Sequence, residues 1–315
     1  MKVMIKLNET SGNQVTEFIL IGITELPDLQ GPLFVVFFLN YIFTAMGNLG
    51  LIILTCVDSH LKTPMYFFLR HLAIVDFGYS TAVGPKMLVS FIKEKNIISY
   101  NGCMMQLFFF AIFIASELFI LSAMAYDRYV AICKPLRYMI IMSDRICWIL
   151  VAISYLYGMI VCIVITTETF KSSFCESNII RHFYCESLPL LSIACSDTSK
   201  TQLIILFFSA FNLVSSLLII LVSYMFILVA ILRMNSSEGR YKAFSTCGSH
   251  LTVVVVFYGT LLFMYLQPQS NHSSETDKIA SVFYTLVIPM LNPLAYSLRN
   301  KEVKGALKRL LKKLM

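Results

Sequence analysis

Charged residues are scarce in this sequence. Asp, Glu, Lys and Arg make up 14% of its 315 residues, whereas 57% of the residues are hydrophobic. A soluble domain of ordinary composition would carry about 25% charged residues. The shortage of charge therefore excludes an ordinary soluble domain and is typical of a membrane protein.

Seven segments are apolar over the roughly 20 residues that a helix needs to cross the hydrocarbon core. Several of them lack Asp, Glu, Lys and Arg altogether. Backbone polar groups in lipid must be satisfied within the segment, so runs of this length predict helices. The sequence therefore predicts an all-α membrane protein, a seven-transmembrane helix bundle. Its predicted spans are 33–57, 64–90, 104–126, 146–167, 201–232, 243–267 and 279–298.

Lys and Arg are unevenly distributed between the two sides of this bundle. Placing the amino terminus outside puts more of the 25 Lys and Arg residues on the cytoplasmic side, as the positive-inside rule requires. The first residues lack the apolar stretch of a cleavable signal peptide, so we expect the first span to direct insertion. We predict one plasma-membrane domain over 1–315. It comprises an extracellular amino terminus (1–32) with a glycosylation sequon at Asn8, the bundle (33–298) and a cytoplasmic tail (299–315).

The tail KEVKGALKRLLKKLM has apolar residues at helical spacing, with its lysines off that stripe. This pattern predicts a short amphipathic C-terminal helix on the inner leaflet; the alternative is a frayed basic tail. The net charge of +7 then lies mostly on the face that meets anionic membrane lipids, and it requires no nucleic-acid partner. The apolar stripe is Val303, Leu307, Leu310 and Leu314.

Four cysteines fall on the predicted outer side. Cys103 opens the third span, and Cys175, Cys185 and Cys195 lie in the long loop after the fourth. In an oxidising compartment four thiols should form two disulfides, with three possible connectivities. The alternative is a metal site built from Cys175, His182 and Cys185.

Few charged residues lie within the predicted spans, where charge is costly and tends to be functional. Asp127 and Arg128 end the third span. An arginine that its neighbour holds in one state and releases in another would act as a switch; the alternative is an interfacial arginine that snorkels. Asp76 and Glu117 lie at about the same depth in the second and third spans. Their carboxylates would repel unless one is protonated or a cation lies between them.

Two prolines, Pro289 and Pro293, remove backbone donors inside the seventh span. We therefore expect this helix to be irregular there, with two accessible packings. The span contains no lysine, which argues against a protein that holds retinal as a Schiff base. The lack of internal repeats argues against a transporter built from two related halves. His182 and His250 fall on opposite membrane faces, so no catalytic constellation converges.

Short strings at the ends of the predicted spans are the most specific feature. They are GNLGLI in the first, PMYFFL entering the second, MAYDRYVAIC ending the third, Ser223-Tyr224 in the fifth, KAFSTCGSHL opening the sixth and PMLNPLAYSLRN closing the seventh. Together they resemble the odorant receptors of the rhodopsin-like G-protein-coupled receptor family, from about Thr16 to the carboxyl terminus. The resemblance implies a receptor, not an enzyme, that binds a small odorant and activates a heterotrimeric stimulatory olfactory G protein to raise cyclic AMP.

The resemblance also implies roles for individual residues. It implies that Cys103 pairs with Cys185, which leaves Cys175 with Cys195. It suggests a structural sodium ion between Asp76 and Glu117 and no other cofactor; a protonated Glu117 bonded to the backbone is the alternative. The residues it assigns to G-protein coupling and switching are Asp127, Arg128, Tyr129, Tyr224, Asn292, Pro293 and Tyr296.

The outer halves of the helices indicate the ligand. The outer half of the third span and the whole of the fifth carry no ionisable residue, and Asp277 and Lys278 near the seventh lie at the rim. An ionised ligand would lose its hydration without gaining a counter-charge, so we expect a small neutral ligand. The predicted lining residues are Phe110, Ala111, Ile114, Ser209, Asn212, Tyr258, Leu261, Leu262, Tyr265 and Thr285.

Overall fold

Long helices run side by side through the protein. The structure is a computed structural model that describes residues 15–24, 26–93, 95–175, 177–234, 236–266, 274–299 and 301–314. The long helices are α1 (Pro27–Val57), α2 (Pro64–Val89), α3 (Tyr100–Cys133), α4 (Asp144–Phe170), α5 (Ser199–Leu232), α6 (Ser237–Leu266), α7, which consists of Ser274–Val282, Phe283–Val287 and Ile288–Arg299, and α8 (Lys301–Leu314).

The first seven helices form the bundle that the sequence predicts. Among the described residues, α1, α3, α4, α5 and the 277–295 part of α7 are each long and apolar enough to cross a membrane. α2 is not among these helices, and α6 contributes the shorter apolar stretch His250–Leu262 within its described side chains. α2 carries Arg70, Asp76 and Lys86, so its place in the bundle depends on packing against α1 and α3.

α3 occupies the centre of the bundle and packs against α2, α4 and α5. By contrast, large apolar side chains of α1 and α5 point outward. Phe43 is 61% exposed and Phe207 is 66% exposed. Apolar surface of this extent fits contact with lipid rather than with water. The two ends of the bundle are named here by their landmarks: the disulfide end, where α3 begins, and the Arg128 end, where α3 finishes.

A small three-stranded sheet covers part of the disulfide end, which the all-helical prediction did not include. β1 (Glu17–Leu20) pairs antiparallel with β2 (Asn96–Ser99) and parallel with β3 (Ile179–Ile180). Phe18 of β1 is fully buried and stacks on Tyr100. The strands are too short to produce an alternating pattern that identifies them in sequence. They nevertheless join the amino-terminal segment to the loop between α2 and α3 and to the loop between α4 and α5.

α7 is irregular close to where its prolines predict. Residues Phe283–Val287 form a π-helical turn, and Pro289 lies two residues after it. A proline lacks the N–H that would donate to the carbonyl four residues earlier, and a widened turn accommodates that loss. Pro293 lies against α1 at Gly47, where an added Cβ would be 2.9 Å from the proline Cγ. Glycine at this position therefore permits the close approach of the two helices.

α8 lies at the Arg128 end, against the beginning of the loop that follows α1. Val303 and Ala306 are buried and Leu310 is half-buried, so the amphipathic prediction is correct in kind. Leu307 does not belong to the packed face, since it is 46% exposed. Positions 303, 306 and 310 face the bundle, and this arrangement turns residue 307 to the flank of the helix. The side chain of Leu314 lies outside the described residues.

Candidate ligand cavity and switch region

Two disulfides fix the loop between α4 and α5. Cys103 is bonded to Cys185 with a Cα–Cα distance of 5.5 Å, and Cys175 is bonded to Cys195 at 5.8 Å. These are the pairs that the resemblance implied. The alternative of a metal site at Cys175 and Cys185 is wrong, because both sulfurs are in disulfides.

The first disulfide places the middle of this loop over the bundle. The backbone N–H of Cys185 donates to Oε1 of Gln106 at 2.9 Å, and Nε2 of the same glutamine donates to the carbonyl of Ala82 at 2.9 Å. The loop is thereby joined to both α3 and α2. Residues that flank Cys185 consequently form a roof above the space between the helices.

A cavity of about 440 Å³ lies beneath this roof. α3, α4 and α5 form most of its wall, with contributions from α6, α7 and the loop. The α3 side chains there are apolar, and α5 adds the Ser209 hydroxyl and the amides of Gln202 and Asn212. Six of the ten predicted lining residues lie on the wall: Phe110, Ala111, Ile114, Ser209, Asn212 and Leu261.

Three of the other predicted residues do not line the cavity. Tyr258 is buried and donates to Oγ of Ser216 at 2.7 Å. Thr285 is buried and donates to the carbonyl of Ser281 at 2.6 Å. Leu262 is half-buried and packs against the hydrophobic core of the bundle. The side chain of Tyr265 lies outside the described residues.

The roof carries ionisable groups that the sequence prediction missed. His182 and Glu186 of the roof line the cavity, together with Tyr284 and the predicted rim residue Asp277 of α7. The expectation that charge stays at the rim is therefore wrong. The spacing did contain a signal: a residue next to a cysteine bonded to α3 must lie near the outer half of α3.

These roof residues form a connected network of hydrogen bonds, called here the roof network. The Tyr184 hydroxyl donates to Oε2 of Glu186 at 3.0 Å, and the Tyr284 hydroxyl donates to Oε1 at 3.3 Å. The two tyrosine oxygens are 2.9 Å apart. Ser281 lies 2.8 Å from the Tyr284 oxygen and 3.2 Å from Nε2 of His182. The network joins the loop to α7.

Burial sets the protonation of the roof network. It raises the pKa of Glu186 to about 7, against the opposing effect of the two tyrosine hydroxyls. It lowers the pKa of His182 to about 3, so this imidazole is neutral at physiological pH. His182 therefore supplies no positive charge to Glu186, although its Nε2 lies 3.5 Å from the carboxylate.

At the Arg128 end, Asp127 is held by a residue other than its neighbour. Oδ1 of Asp127 accepts a hydrogen bond of 2.8 Å from Tyr138, in the short helix Tyr138–Ile141 that follows α3. Within the described part of the chain, Arg128 has no hydrogen bond or ion pair. Tyr129 packs on α5 through Phe226, with ring centroids 5.7 Å apart. The arginine is thus available to another partner in this arrangement.

A buried histidine holds α6 to α3 and α5. Nδ1 of His250 lies 2.6 Å from the Tyr224 hydroxyl, and its Nε2 lies 3.2 Å from the carbonyl of Leu121. These three residues are called here the α6 latch. Tyr224 was predicted as a switch residue. His250 was not, although it stands in the string KAFSTCGSHL.

The two acids in the middle of the bundle lie side by side. Oδ2 of Asp76 accepts a hydrogen bond of 2.8 Å from Asn292, which joins α2 to α7. The adjacent carboxyl of Glu117 is fully buried, and neither of its oxygens has a hydrogen-bond partner among the described residues. The side chain of Tyr296 lies outside those residues.

The bundle as a whole has the fold of rhodopsin. It matches a crystal structure of squid rhodopsin with a TM-score of 0.68, over 90% of this chain and 81% of that one, at 18% sequence identity. Identity this low shows the fold alone, and it defines the class as a rhodopsin-type seven-helix protein.

Sequence comparison identifies the family. The olfactory receptor family model matches residues 37–313. Olfactory receptor 8K1 of Homo sapiens is 66% identical over 98% of this chain and 97% of its own length. Olfactory receptor 8U3 of Mus musculus is 56% identical over 97% and 96%. The chain belongs to the olfactory receptor family of G-protein-coupled receptors. It is a multi-pass plasma-membrane receptor for a small molecule, signals through a G protein and is not an enzyme.

Proposed function

We propose that this receptor binds a small neutral odorant in the cavity beneath the roof and activates a stimulatory olfactory G protein, which raises cyclic AMP. The disulfide end faces the outside with the amino terminus, and the Arg128 end faces the cytosol with the carboxyl terminus. The observation that carries the proposal is the cavity itself, which is mainly apolar below the roof and closed by a disulfide-bonded loop.

The distribution of polar groups supports a mainly apolar ligand. Below the roof, the wall that α3 and α4 contribute consists of Leu, Phe, Ala, Ile and Val side chains. Among the described lining residues, ionisable groups occur only on the roof and on α7, and His182 of the roof is neutral. A charged group placed deep in the cavity would lose its hydration without compensation. The cavity therefore suits a neutral body with a single polar group.

The expected affinity is modest. A ligand of about a dozen heavy atoms, at roughly 0.5 kcal/mol each, binds with about 6 kcal/mol, which corresponds to a dissociation constant of tens of micromolar. Moving a two-state equilibrium from 1:99 to 99:1 takes about 5.5 kcal/mol of differential affinity. One odorant molecule would therefore shift the receptor only partly toward its active state.

The shift toward the active state can be explained by the α6 latch. Leu261 of α6 lies on the cavity wall, and His250, about three turns away on the same helix, bonds to Tyr224 and Leu121. A ligand that draws the upper part of α6 into a new position would favour breaking these bonds at the Arg128 end. Outward movement of α6 would then expose a surface beside Arg128 for the G protein.

We propose that a sodium ion is held beside Asp76 and Glu117. The residues fit such an ion, because the buried Glu117 oxygens lack partners among the described residues and hard cations take oxygen ligands. When bound, the ion would supply the positive charge that allows both carboxyls to be ionised together. Asn292, which already bonds to Asp76, would keep α7 aligned with this site.

Membrane lipids are a further proposed partner, through α8. Lys304, Lys308 and Lys312 are exposed on the side away from the buried Val303 and Ala306. Ammonium groups placed this way favour an anionic leaflet. Glycosylation at Asn8 stays a prediction, since that residue lies outside the described ones.

The test is a cyclic AMP assay in cells that express this chain together with a stimulatory olfactory G protein. A panel of neutral volatiles should contain compounds that raise cyclic AMP, and Arg128→Ala at matched surface level should abolish the response. A receptor that reaches the surface but never changes cyclic AMP, with or without compounds, would contradict the coupling. Protease mapping that finds the amino terminus in the cytosol would contradict the orientation.

A further inference from the structure

Glu186 is a carboxyl on the cavity wall without a cationic partner. Among the described residues it forms no ion pair with Lys or Arg, and the neighbouring His182 is neutral. Its side chain is 25% exposed, and it lines the cavity. Tyr184 and Tyr284 each occupy one lone pair. When ionised, the carboxylate has about four acceptor sites, so roughly two remain open for a bound molecule.

A second open acceptor lies deeper in the same cavity. Asn212 is 4% exposed and lines the wall. Its Nδ2 donates to the carbonyl of Ala115 at 3.1 Å, which fixes the amide so that Oδ1 is the free end. Oδ1 is buried without a partner among the described residues. Buried acceptors that lack a donor are costly, so this amide adds an unpaired polar group to the wall.

We propose that Glu186 determines ligand class by accepting a hydrogen bond from the ligand, so that this receptor prefers odorants with a hydroxyl group over otherwise identical molecules without a donor. The inference rests on the proposed function and narrows it. The hydroxyl lies at the roof, and the apolar body fills the cavity below. A molecule that offers only acceptors, such as an ether or an aldehyde, leaves the open sites of the ionised Glu186 carboxylate unpaired.

Such a preference should be large. A site built to bond a ligand hydrogen rejects the analogue that lacks it, because the site's own polar group is then buried without a partner. We expect the half-maximal concentration of an alcohol to be at least about tenfold lower than that of its methyl ether, which corresponds to the loss of one such hydrogen bond.

The experiment uses matched sets of compounds on the same carbon skeleton. Each set contains a primary alcohol, its methyl ether, the aldehyde and the primary amine, on straight-chain and cyclic skeletons of about a dozen heavy atoms. Cyclic AMP is recorded against concentration in cells expressing the full chain at measured surface level. The alcohols should be active and the ethers and aldehydes at least about tenfold weaker.

Variants separate ligand recognition from loop structure. In Glu186→Ala the alcohol and its ether should become equally potent, and Glu186→Gln, which keeps the shape and one acceptor oxygen, should retain part of the difference. Tyr184→Phe removes a bond to Glu186 but leaves the carboxyl, so it should preserve the alcohol preference. Leu188→Ala, on the same wall without a hydrogen-bonding group, should change all members of a set alike.

The outcomes decide between the two proposals. Ethers as potent as alcohols, or an alcohol preference that survives Glu186→Ala, would overturn the assignment of Glu186; so would its loss in Tyr184→Phe. Amines more potent than alcohols would support Glu186 as the acceptor and contradict the neutral ligand of the proposed function. If no set is active but basal cyclic AMP depends on Arg128, the donor preference fails and G-protein coupling stands. If basal signalling is also absent, both the donor preference and the proposed G-protein coupling are contradicted.

Discussion

The two ends of this receptor are held together by different means. At the disulfide end, two covalent bonds, a small sheet and the roof network connect the amino-terminal segment, the loops and α7. At the Arg128 end, the described contacts between helices are non-covalent, and the α6 latch is a prominent one. The disulfide end is therefore built to keep its shape, whereas the Arg128 end can change at moderate cost.

This difference has a consequence for signalling. A roof that is tied to α3 by the Cys103–Cys185 bond cannot yield easily when a ligand binds. Ligand binding is then expected to shift the part of the cavity wall that can move, which includes α6. Because the latch consists of hydrogen bonds worth about 1 kcal/mol each, a ligand of modest affinity is able to shift it.

Removing the roof's covalent bond should have the largest effect. Cys103→Ser should abolish delivery of the receptor to the cell surface, because loss of a native disulfide typically costs 2–5 kcal/mol and also releases the loop over the cavity. Surface labelling by flow cytometry measures the effect. Cys56→Ser, which changes an exposed free cysteine, should traffic normally. Normal delivery of Cys103→Ser would show that the two ends do not differ as described.

The second-largest effect should be on signalling and not on folding. Arg128→Ala should abolish ligand-dependent cyclic AMP while leaving surface expression largely intact, since this arginine has no bonding partner within the described residues. Arg145→Ala, which changes an exposed arginine at the start of α4, should signal normally. A normal response from surface-matched Arg128→Ala would remove the Arg128 end from the mechanism.

A smaller effect should come from opening the latch. His250→Ala removes the contacts to Tyr224 and Leu121, so the closed arrangement should lose roughly 1–2 kcal/mol relative to the open one and basal cyclic AMP should rise several-fold. Thr252→Ala is the control, because Thr252 is exposed and, among the described residues, bonds only to Gly248 of its own helix. An unchanged basal level at equal surface expression would mean that His250 does not restrain α6.

The two ends also differ in how well sequence predicts them. Charge-free segments such as those of α1, α4 and α5 can be recognised as membrane helices from sequence alone. A segment in lipid must satisfy its own backbone hydrogen bonds, and a helix does so. The polar residues at the Arg128 end lie in recognisable strings, so Arg128 and Tyr224 were found. The α6 latch was found only in part, because a histidine's partners depend on how helices are rotated against one another.

The disulfides of the roof could be predicted, but its ionisable side chains on the cavity could not. The resemblance gave the disulfide pairs, yet the place of Glu186 and His182 on the cavity was missed because the path of an irregular loop has no sequence period. Helix positions were better but not secure. Leu261 lies on the wall whereas Leu262 does not, and one residue corresponds to a rotation of about 100° on the helix. Periodicity fixes which residues share a face and leaves open which face meets the cavity.

The smallest effect is expected where α8 meets the loop after α1. Nη2 of Arg309 lies 2.8 Å from Oδ2 of Asp58. The backbone N–H of His60 and then the arginine lower the pKa of Asp58 from 3.8 to about 2. A carboxyl whose pKa is lowered by folding stabilises the fold at every pH above its ordinary pKa. That stabilisation is lost as the pH falls through the lowered pKa. This ion pair is therefore constant near neutral pH.

Arg309→Ala should accordingly reduce surface level and signalling only slightly, since ion pairs of exposed side chains contribute little. Its effect should be the same at about pH 6 and about pH 8, because Asp58 stays ionised throughout that range. Lys308→Ala, beside it on the exposed side of α8, separates loss of the ion pair from loss of one positive charge near the membrane. A large loss in Arg309→Ala alone would show that the Arg128 end depends on α8 as strongly as the disulfide end depends on its covalent bonds.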